Sequence, residues 1–476
     1  MTAELDAVVV GAGPNGLAAG VRLALEGHEV MVVEAAETIG GGSRSSELTL
    51  PGFVHDVCAA VMPLGAGSPF LRSLPLGDHG LKWIQPPVPA GHPLDDGSVV
   101  LLHRSVDDTA DALGRDAGAY RRLLGPLVER WGSLAEATLG PVTGGIRHPV
   151  VMTRFGVPGM LSAHALASAG FKDERARALF AGMAGHSILP LSRPFTSAFG
   201  LMLSVTGHAE GWPIPRGGAG RFVDAMASYL TSIGGRIETG RLVTSLKELP
   251  RSRVTLFDLN PAQVARIAGD RLPEAYRDRL RRFRQGPAAF KLDLAIDGPI
   301  PWRNPALLEA GTVHLGGTMD EIAAGEAVVA RGGHPERPYV LLAQQSLFDD
   351  TRAPEGRHTV WAYCHVPARS TVSMTDAIEA QIERFAPGFR ERVLARHEIS
   401  PGGYAAYNAN YVGGDISGGA HDGLQLFARP VLRFNPYSTP EPDLFICSAS
   451  TPPGGGVHGM SGYHGAGAAL RRLARA

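Results

Sequence analysis

Apolar residues near the start of this chain come in two kinds of run, and the contrast locates a first folded unit. Ala7-Val8-Val9-Val10 is continuous rather than alternating, as a parallel strand covered on both faces must be. Gly11-Ala12-Gly13-Pro14-Asn15-Gly16 follows at once. Leu17, Val21, Leu23, Ala24 and Leu25 then recur at helical spacing until Gly27. A second continuous run, Val30-Met31-Val32-Val33, ends in Glu34. The order is strand, glycine turn, helix, strand, acid. That context is what a Gly-x-Gly-x-x-Gly turn needs in order to hold a dinucleotide. Gly11 allows the tight turn, Gly13 lets backbone approach a pyrophosphate, and Gly16 lets the helix pack on the strand. Pro14 and Asn15 open a helix whose positive end faces the phosphates. Glu34 is placed to accept hydrogen bonds from ribose hydroxyls.

Further along, the pattern alternates between helical and strand-like stretches. Residues 119–131, 160–169 and 174–183 read as helices, and 196–205 is apolar almost all round. Residues 290–296, 312–315, 339–344 and 359–366 read as strands, several of them alternating as half-buried antiparallel strands do. A helix is expected over 375–385. Around 212–243 the chain reads as a glycine turn (Gly217, Gly218, Gly220), a helix to 233 and a strand ending at Val243. No buried strand precedes those glycines, which argues against a second dinucleotide site. Near the C-terminus, 444–447 is an apolar strand, 448–459 is rich in glycine, and 463–470 is helical.

Composition narrows the class. The 476 residues exceed what one core usually supports, and a 44% hydrophobic fraction is ample for large cores. A formal net charge of −1 without a basic tail points away from nucleic acid. Cys58, Cys364 and Cys447 are far apart and odd in number, which speaks against a disulfide framework or a Cys-based metal site. Neither Cys-x-x-Cys nor His-Glu-x-x-His occurs, so no metal is expected. Met1-Thr2-Ala3-Glu4 runs into the first strand without a signal-peptide pattern. No apolar run reaches the roughly 18 residues of a membrane span. The expectation is a cytoplasmic protein, with peripheral membrane contact left open by the arginines at 271, 277, 279, 281, 282 and 284.

Beyond Glu34 the chain reads Gly40-Gly41-Gly42-Ser43-Arg44 and then Gly52-Phe53-Val54-His55-Asp56. These residues, with the first glycine turn, resemble the glutathione-reductase-like FAD superfamily. More narrowly they resemble its phytoene dehydrogenase-like branch, related to carotenoid desaturases and amine oxidases. The resemblance implies an α/β fold: a Rossmann-like FAD-binding domain with a parallel central sheet, plus a discontinuous substrate domain of mixed or antiparallel sheet with a helical cap. The first would comprise 1–65, 211–285 and 431–476, the second 66–210 and 286–430. Many relatives carry an Arg where this chain has Gly42, and Arg44 is the residue expected to replace its contact. In that family the residue matching Val243 clamps the adenine through its backbone, and the C-terminal glycine loop passes the flavin ring. Ser450, Gly456, Val457 and His458 are thereby placed at the cofactor.

The expected cofactor is non-covalent FAD, held by Gly11, Gly13, Pro14, Asn15, Gly16, Glu34, Gly41, Gly42, Ser43, Arg44, Val243 and the C-terminal four. His458 and His186 are the candidate catalytic residues, since imidazole titrates near neutrality. His458, if protonated, would add to the field at the flavin; if neutral, it could instead orient substrate. For His186 and His464 a structural role in the core is the plainer reading. The expected activity is a dehydrogenase or desaturase passing a hydride from a fairly apolar small molecule to flavin N5, with O2 or a quinone as acceptor. A flavin amine oxidase, or a non-catalytic escort protein on the same fold, are the alternatives.

Overall fold

The computed structural model describes residues 4–475; residues 1–3, read from sequence as leading straight into the first strand, lie outside them. Five strands form an all-parallel sheet in the order Leu444–Ile446, Ser252–Phe257, Leu5–Val10, Val30–Val33, Arg236–Glu238. Leu5–Val10 is central, and its Ala7, Val8 and Val9 have no exposed surface, which is why its apolar run does not alternate. Helices Pro14–Leu25 and Met460–Leu473 pack together on one face. On the other, helix Pro261–Ala268 contributes Val264 and Ala265 to a cluster with Val8 and Val10.

Two sequence expectations change here. The strand meant to end at Val243 is only Arg236–Glu238, and Val243 lies buried in the loop beyond it, within the Val8–Val10 cluster. Ser252–Phe257 went unanticipated because Arg253 and Thr255 interrupt its apolar run, yet it pairs directly with the central strand.

A second sheet of seven strands runs in the order Val393–Ile399, Ala288–Asp297, Arg357–Val366, Val340–Ala343, Ala310–Leu315, Val88–Pro93, Val99–Leu102. Every neighbouring pair is antiparallel except Ala310–Leu315 with Val88–Pro93. The fold is therefore α/β, with one parallel and one mixed sheet, as the resemblance implied. Helices cover the mixed sheet near the first two of its sequence-ordered strands. Of these, Thr196–Glu210 packs on Glu174–Gly185 and on Pro149–Gly159. The helix expected over 160–169 starts later, at Ala163, because the Ser162 side chain caps it by accepting the Ala165 N–H. The arginine-rich stretch forms helix Glu274–Arg281. Arg271 pairs there with Asp443, Arg277 with Asp270, Arg281 with Asp278, and Arg284 with Asp422, while Arg279 and Arg282 are exposed and form no ion pair among the described residues.

The two sheets are tied at Asp56. Its Oδ1 accepts hydrogen bonds from Ser45 Oγ and from the Ala219 N–H, both at 2.7 Å. Its Oδ2 accepts one from Arg352 Nη2 at 2.6 Å, and neither side chain has exposed surface. Arg352 Nε also donates to the Val54 carbonyl. Ala219 opens helix Ala219–Ser232, so the second glycine turn hands its helix start to a protein carboxylate instead of a phosphate.

Removing one partner of a buried ion pair leaves the other charge unpaired. Asp56→Ala should cost about 3–5 kcal/mol in chemical denaturation, and adding Arg352→Met should recover part of that loss. A single variant as stable as the parent would mean the pair is not what joins the sheets.

Histidine burial gives a second expectation. Burial holds His55, His92, His208, His458 and His464 at about 4, and His186 and His421 at about 3. Unfolded, each would titrate near 6.5, so between about pH 6.5 and 4 the unfolded chain binds more protons than the folded one. Their contribution is complete above pH 6.5 and is lost as pH falls through that window, on the order of 1 kcal/mol or more per histidine by pH 5. Thermal melts should show a steep fall in midpoint from pH 7.5 to pH 5. An unchanged midpoint would contradict the burial.

Candidate functional site

The chain leaves the central strand at Gly11, whose φ of +105° turns it sharply. Gly13 is the extended N-cap of helix Pro14–Leu25, and Pro14 fixes the φ of its first turn. At Gly16 the turn is so tight that a Cβ would fall onto the Gly11 carbonyl oxygen, so only glycine closes it. The Glu34 carboxylate accepts the Ala12 N–H at 2.8 Å and the Ala36 N–H at 3.0 Å, holding the end of the second strand against the turn.

Arg44 does not reach toward the middle of the site. Its guanidinium donates to the carbonyls of Thr38 and Ile39 and lies 3.4 Å from Glu34. Arg44 is absent from the cavity lining, its guanidinium engaged within the turn. The reason for glycine at position 42 is Tyr411: a Cβ on Gly42 would overlap its phenol oxygen. The same segment seals the turn at two more points. Tyr407 Oη donates to the Gly41 carbonyl at 2.8 Å, and the Asn410 amide donates to the Asp258 carbonyl at 3.1 Å.

From this turn a cavity of about 510 Å³ runs between the two sheets. Gly13, Pro14 and Asn15 line it with Gly41, Gly42 and Ser43. Ser450, Gly456, Val457 and His458 line it from the C-terminal loop. His186 also borders it. Gly11, Gly16, Glu34, Arg44 and Val243 do not; they lie around the turn or in the core beside it. Farther from the turn the lining is apolar and aromatic, including Phe155, Ile188, Phe199, Met202, Trp212 and Trp361.

Several buried polar atoms on these lining residues have no protein partner: Asn15 Oδ1, Ser43 Oγ, Trp212 Nε1, Trp361 Nε1 and His458 Nε2. Buried polar groups are normally satisfied, so their clustering marks a place for a ligand that carries both donors and acceptors. The glycine turn, Asn15 and Ser43 suit the phosphates and polar chain of a dinucleotide. The aromatic end suits a flat, apolar group.

Three histidines face the cavity and all are held neutral. His186 is the C-cap of helix Glu174–Gly185, and its Nε2 lies 3.1 Å from Nε2 of His314. Burial, and then the nearby His365, lower its pKa to about 3. His421 packs on Phe199 and is lowered likewise by burial, then by Arg429. His458 Nδ1 accepts the Met460 N–H at 3.0 Å, capping the terminal helix, so the proton of the neutral ring sits on Nε2. Burial lowers its pKa to about 4, so of the two states the sequence left open the neutral one is present. His464 does not line the cavity; its Nε2 meets the Leu139 carbonyl at 3.2 Å, a packing role.

Sequence reasoning missed Asp258, His421, and the Lys291–Asp293 pair. Asp258 Oδ2 accepts the Gly16 N–H at 2.9 Å, and burial pushes its carboxyl well up, with Glu34 adding to the effect. The signal was present, since an apolar run ending in an acid repeats the Val33-Glu34 pattern. Lys291 and Asp293 alternate on one face of strand Ala288–Asp297 and are fully buried against each other. Lys291 Nζ lies 5.8 Å from the Trp361 ring centre, directly behind the cavity wall. Among the described residues no cluster suits a metal ion, and no helix is long and apolar enough to cross a membrane.

A family model described as an NAD(P)-binding Rossmann-like domain matches residues 9–74, from the glycine turn past the Gly40–Arg44 segment. Over 99% of its length the chain is 28% identical to pyridine nucleotide-disulfide oxidoreductase domain-containing protein 2 of Rattus norvegicus, covering 94% of that protein. Over half of each chain it is 30% identical to hydroxyneurosporene desaturase of Cereibacter sphaeroides. The solved structure of a putrescine oxidase bound to putrescine superposes with a TM-score of 0.62, at 18% identity and over 99% of both chains. At that identity the likeness concerns the fold, and the fold is that of the flavin oxidoreductases, with a Rossmann-like domain at the glycine turn.

Proposed function

We propose that the protein is an FAD-dependent dehydrogenase or desaturase acting on a fairly apolar organic molecule. The observation that carries this reading is the set of unpartnered buried polar atoms gathered on one cavity, between a dinucleotide turn and an apolar end. Gly13, Asn15 and Ser43 would hold the phosphates and ribityl chain, Glu34 the adenosine ribose, and Ser450, Gly456, Val457 and His458 the neighbourhood of the ring. Flavin bound there supplies an acceptor for a hydride from the substrate.

The chain's own residues do the rest. Phe155, Ile188, Phe199 and Met202 exclude water and bind through apolar contact. His186, neutral at any ordinary pH, can only pass on the proton that leaves the substrate when the hydride departs, since burial makes its imidazolium too acidic to keep it, and His314 behind it supports the ring. His458 contributes an Nε2–H donor as a dipole, without net charge. The Gly217 turn is closed by Asp56, so we assign reoxidation to O2 or a quinone instead of a second bound nucleotide.

The putrescine oxidase likeness raises an amine oxidase as the second reading. The apolar end of the cavity has aromatic rings and neutral histidines but no carboxylate to hold a substrate cation, since Asp258 lies at the dinucleotide turn. That favours a neutral substrate.

Purified protein should be yellow, and acid precipitation should release FAD into the supernatant. Colourless protein that cannot be reconstituted with FAD would remove the enzyme reading in favour of an escort protein. Gly13→Val would set a side chain against Asp258, 2.8 Å from its Oδ2, and should purify folded but without flavin.

His186→Ala should keep its flavin and slow reduction by substrate by about tenfold, the modest effect expected of a base with so low a pKa. With the parent pKa near 3, the rate of that step should be flat from pH 5 upward as far as His186 governs it. Stopped-flow reduction of the two proteins across pH measures both. An unaltered rate in the variant would leave His186 as packing.

A further inference from the structure

The outer surface of the helical layer carries an apolar face that the cavity does not account for. Fourteen large hydrophobic side chains are exposed among the described residues, and ten of them fall in two short segments: six within 142–161 and four within 424–434. Scattered singly they would be ordinary; concentrated, they mark a contact surface. Helix Pro149–Gly159 shows how the face is built. Val151 and Phe155 point inward, and Phe155 lines the cavity, while Val150 and Val157 stand outward on the opposite side with Arg154 between them. Ile146, in the turn before this helix, and Met160 and Leu161, just after it, are exposed as well.

The second segment adjoins the first. Phe427 packs edge-on against Phe195 at 5.2 Å between ring centres, and the Phe195 N–H donates to the Leu161 carbonyl at 3.1 Å. Leu426, between exposed Leu424 and Phe427, lines the same cavity that Phe155 lines. The apolar face and the cavity are thus two sides of the same wall.

Charge identifies what the face meets. No Asp or Glu occurs between Glu136 and Asp173, and none between Asp422 and Glu441. Arg147, Arg154 and Arg193 are exposed within or beside the patch and form no ion pair among the described residues. Arg279 and Arg282 are unpaired and exposed as well, but no cluster of exposed apolar side chains accompanies them, so it is the combination that marks this face. Apolar side chains interleaved with unpaired guanidinium groups are the composition of a surface that lies in a lipid headgroup layer, where the apolar face sinks by roughly 5–10 Å and the cations meet anionic lipids. We infer that this face docks the protein on an anionic membrane surface. The site differs from the Arg271–Arg284 stretch singled out in the sequence, where four of the six arginines pair with acids and no large hydrophobic side chain is exposed. Passage of an apolar substrate from the bilayer into the cavity rests on the proposed function; the docking does not.

The experiment is co-sedimentation of the full chain with vesicles of phosphatidylcholine alone and of phosphatidylcholine mixed with phosphatidylglycerol. The expected result is binding to the mixed vesicles, weaker binding to the neutral ones, and release by added salt. Val150→Glu with Val157→Glu should lower the partition by on the order of tenfold or more. Arg147→Ala with Arg154→Ala and Arg193→Ala should erase the preference for anionic lipid. Leu394→Glu, exposed on the edge strand of the mixed sheet, should change nothing. Circular dichroism and flavin content check that the variants remain folded. No binding to either vesicle, or binding untouched by the patch variants, overturns the inference. So does a parent that sediments as a dimer and is split by Val150→Glu, since a second copy would then cover the face. Protein that docks but never holds flavin defeats the functional reading alone; protein that holds flavin and ignores vesicles defeats the docking alone.

Discussion

The buried carboxylate of Asp56 is the constraint on which the rest of the architecture depends. One oxygen terminates the helix that follows the second glycine turn; the other receives a guanidinium from the loop between two strands of the mixed sheet. A carboxylate can satisfy several donors at once, and in a dry interior such charge-assisted bonds are short and directional. Together with the Gly217 N–H to Asp349 bond at 2.7 Å, this group holds the loop of the mixed sheet against the helix start beside the parallel one. Because the pair is desolvated, it fixes a geometry more than it adds net stability.

The cavity shows a consistent electrostatic character. Its histidines are neutral, its polar contributions come from amides, indoles and hydroxyls, and the full charges nearby are paired or set back behind the wall. Fixed dipoles in such a medium interact strongly with a polar ligand without the desolvation cost that an ionised side chain would bring. His458 illustrates the arrangement. One ring nitrogen is committed to capping the terminal helix, and this leaves the other as a donor of known tautomer.

Much of the dinucleotide end could be read from sequence because it is local. Gly11, Gly13, Gly16 and Glu34 act within one strand-turn-helix-strand unit, where spacing alone carries the geometry. What escaped depends on distant segments. Nothing near Gly42 announces that Tyr411 fills the space above it, and nothing near Arg44 shows that Glu34 and two carbonyls claim its guanidinium. Asp258 repeats the acid-after-strand signal of Glu34, but Arg253 and Thr255 break the apolar run before it and weaken that signal. The charge state of His458 could not be inferred from composition, since burial decides it. The strand pattern of 290–296 and 359–366 was legible, but the Lys291–Asp293 pair inside it was passed over as alternation.

The order of strands in the parallel sheet has a consequence for how the molecule comes into being. Leu5–Val10 is made first, yet one of its two neighbours is Ser252–Phe257, and the strand beyond that, with the helix covering Pro14–Leu25, comes from past residue 440. At about 5–20 residues per second of synthesis, the apolar flank of the first helix waits for its cover for roughly 20–90 s on the ribosome. During that interval a continuous apolar strand and an unmatched helix face are available to other chains. The late arrival of the last strand and helix thus makes the first-made segment the part of the chain most open to mispairing during synthesis.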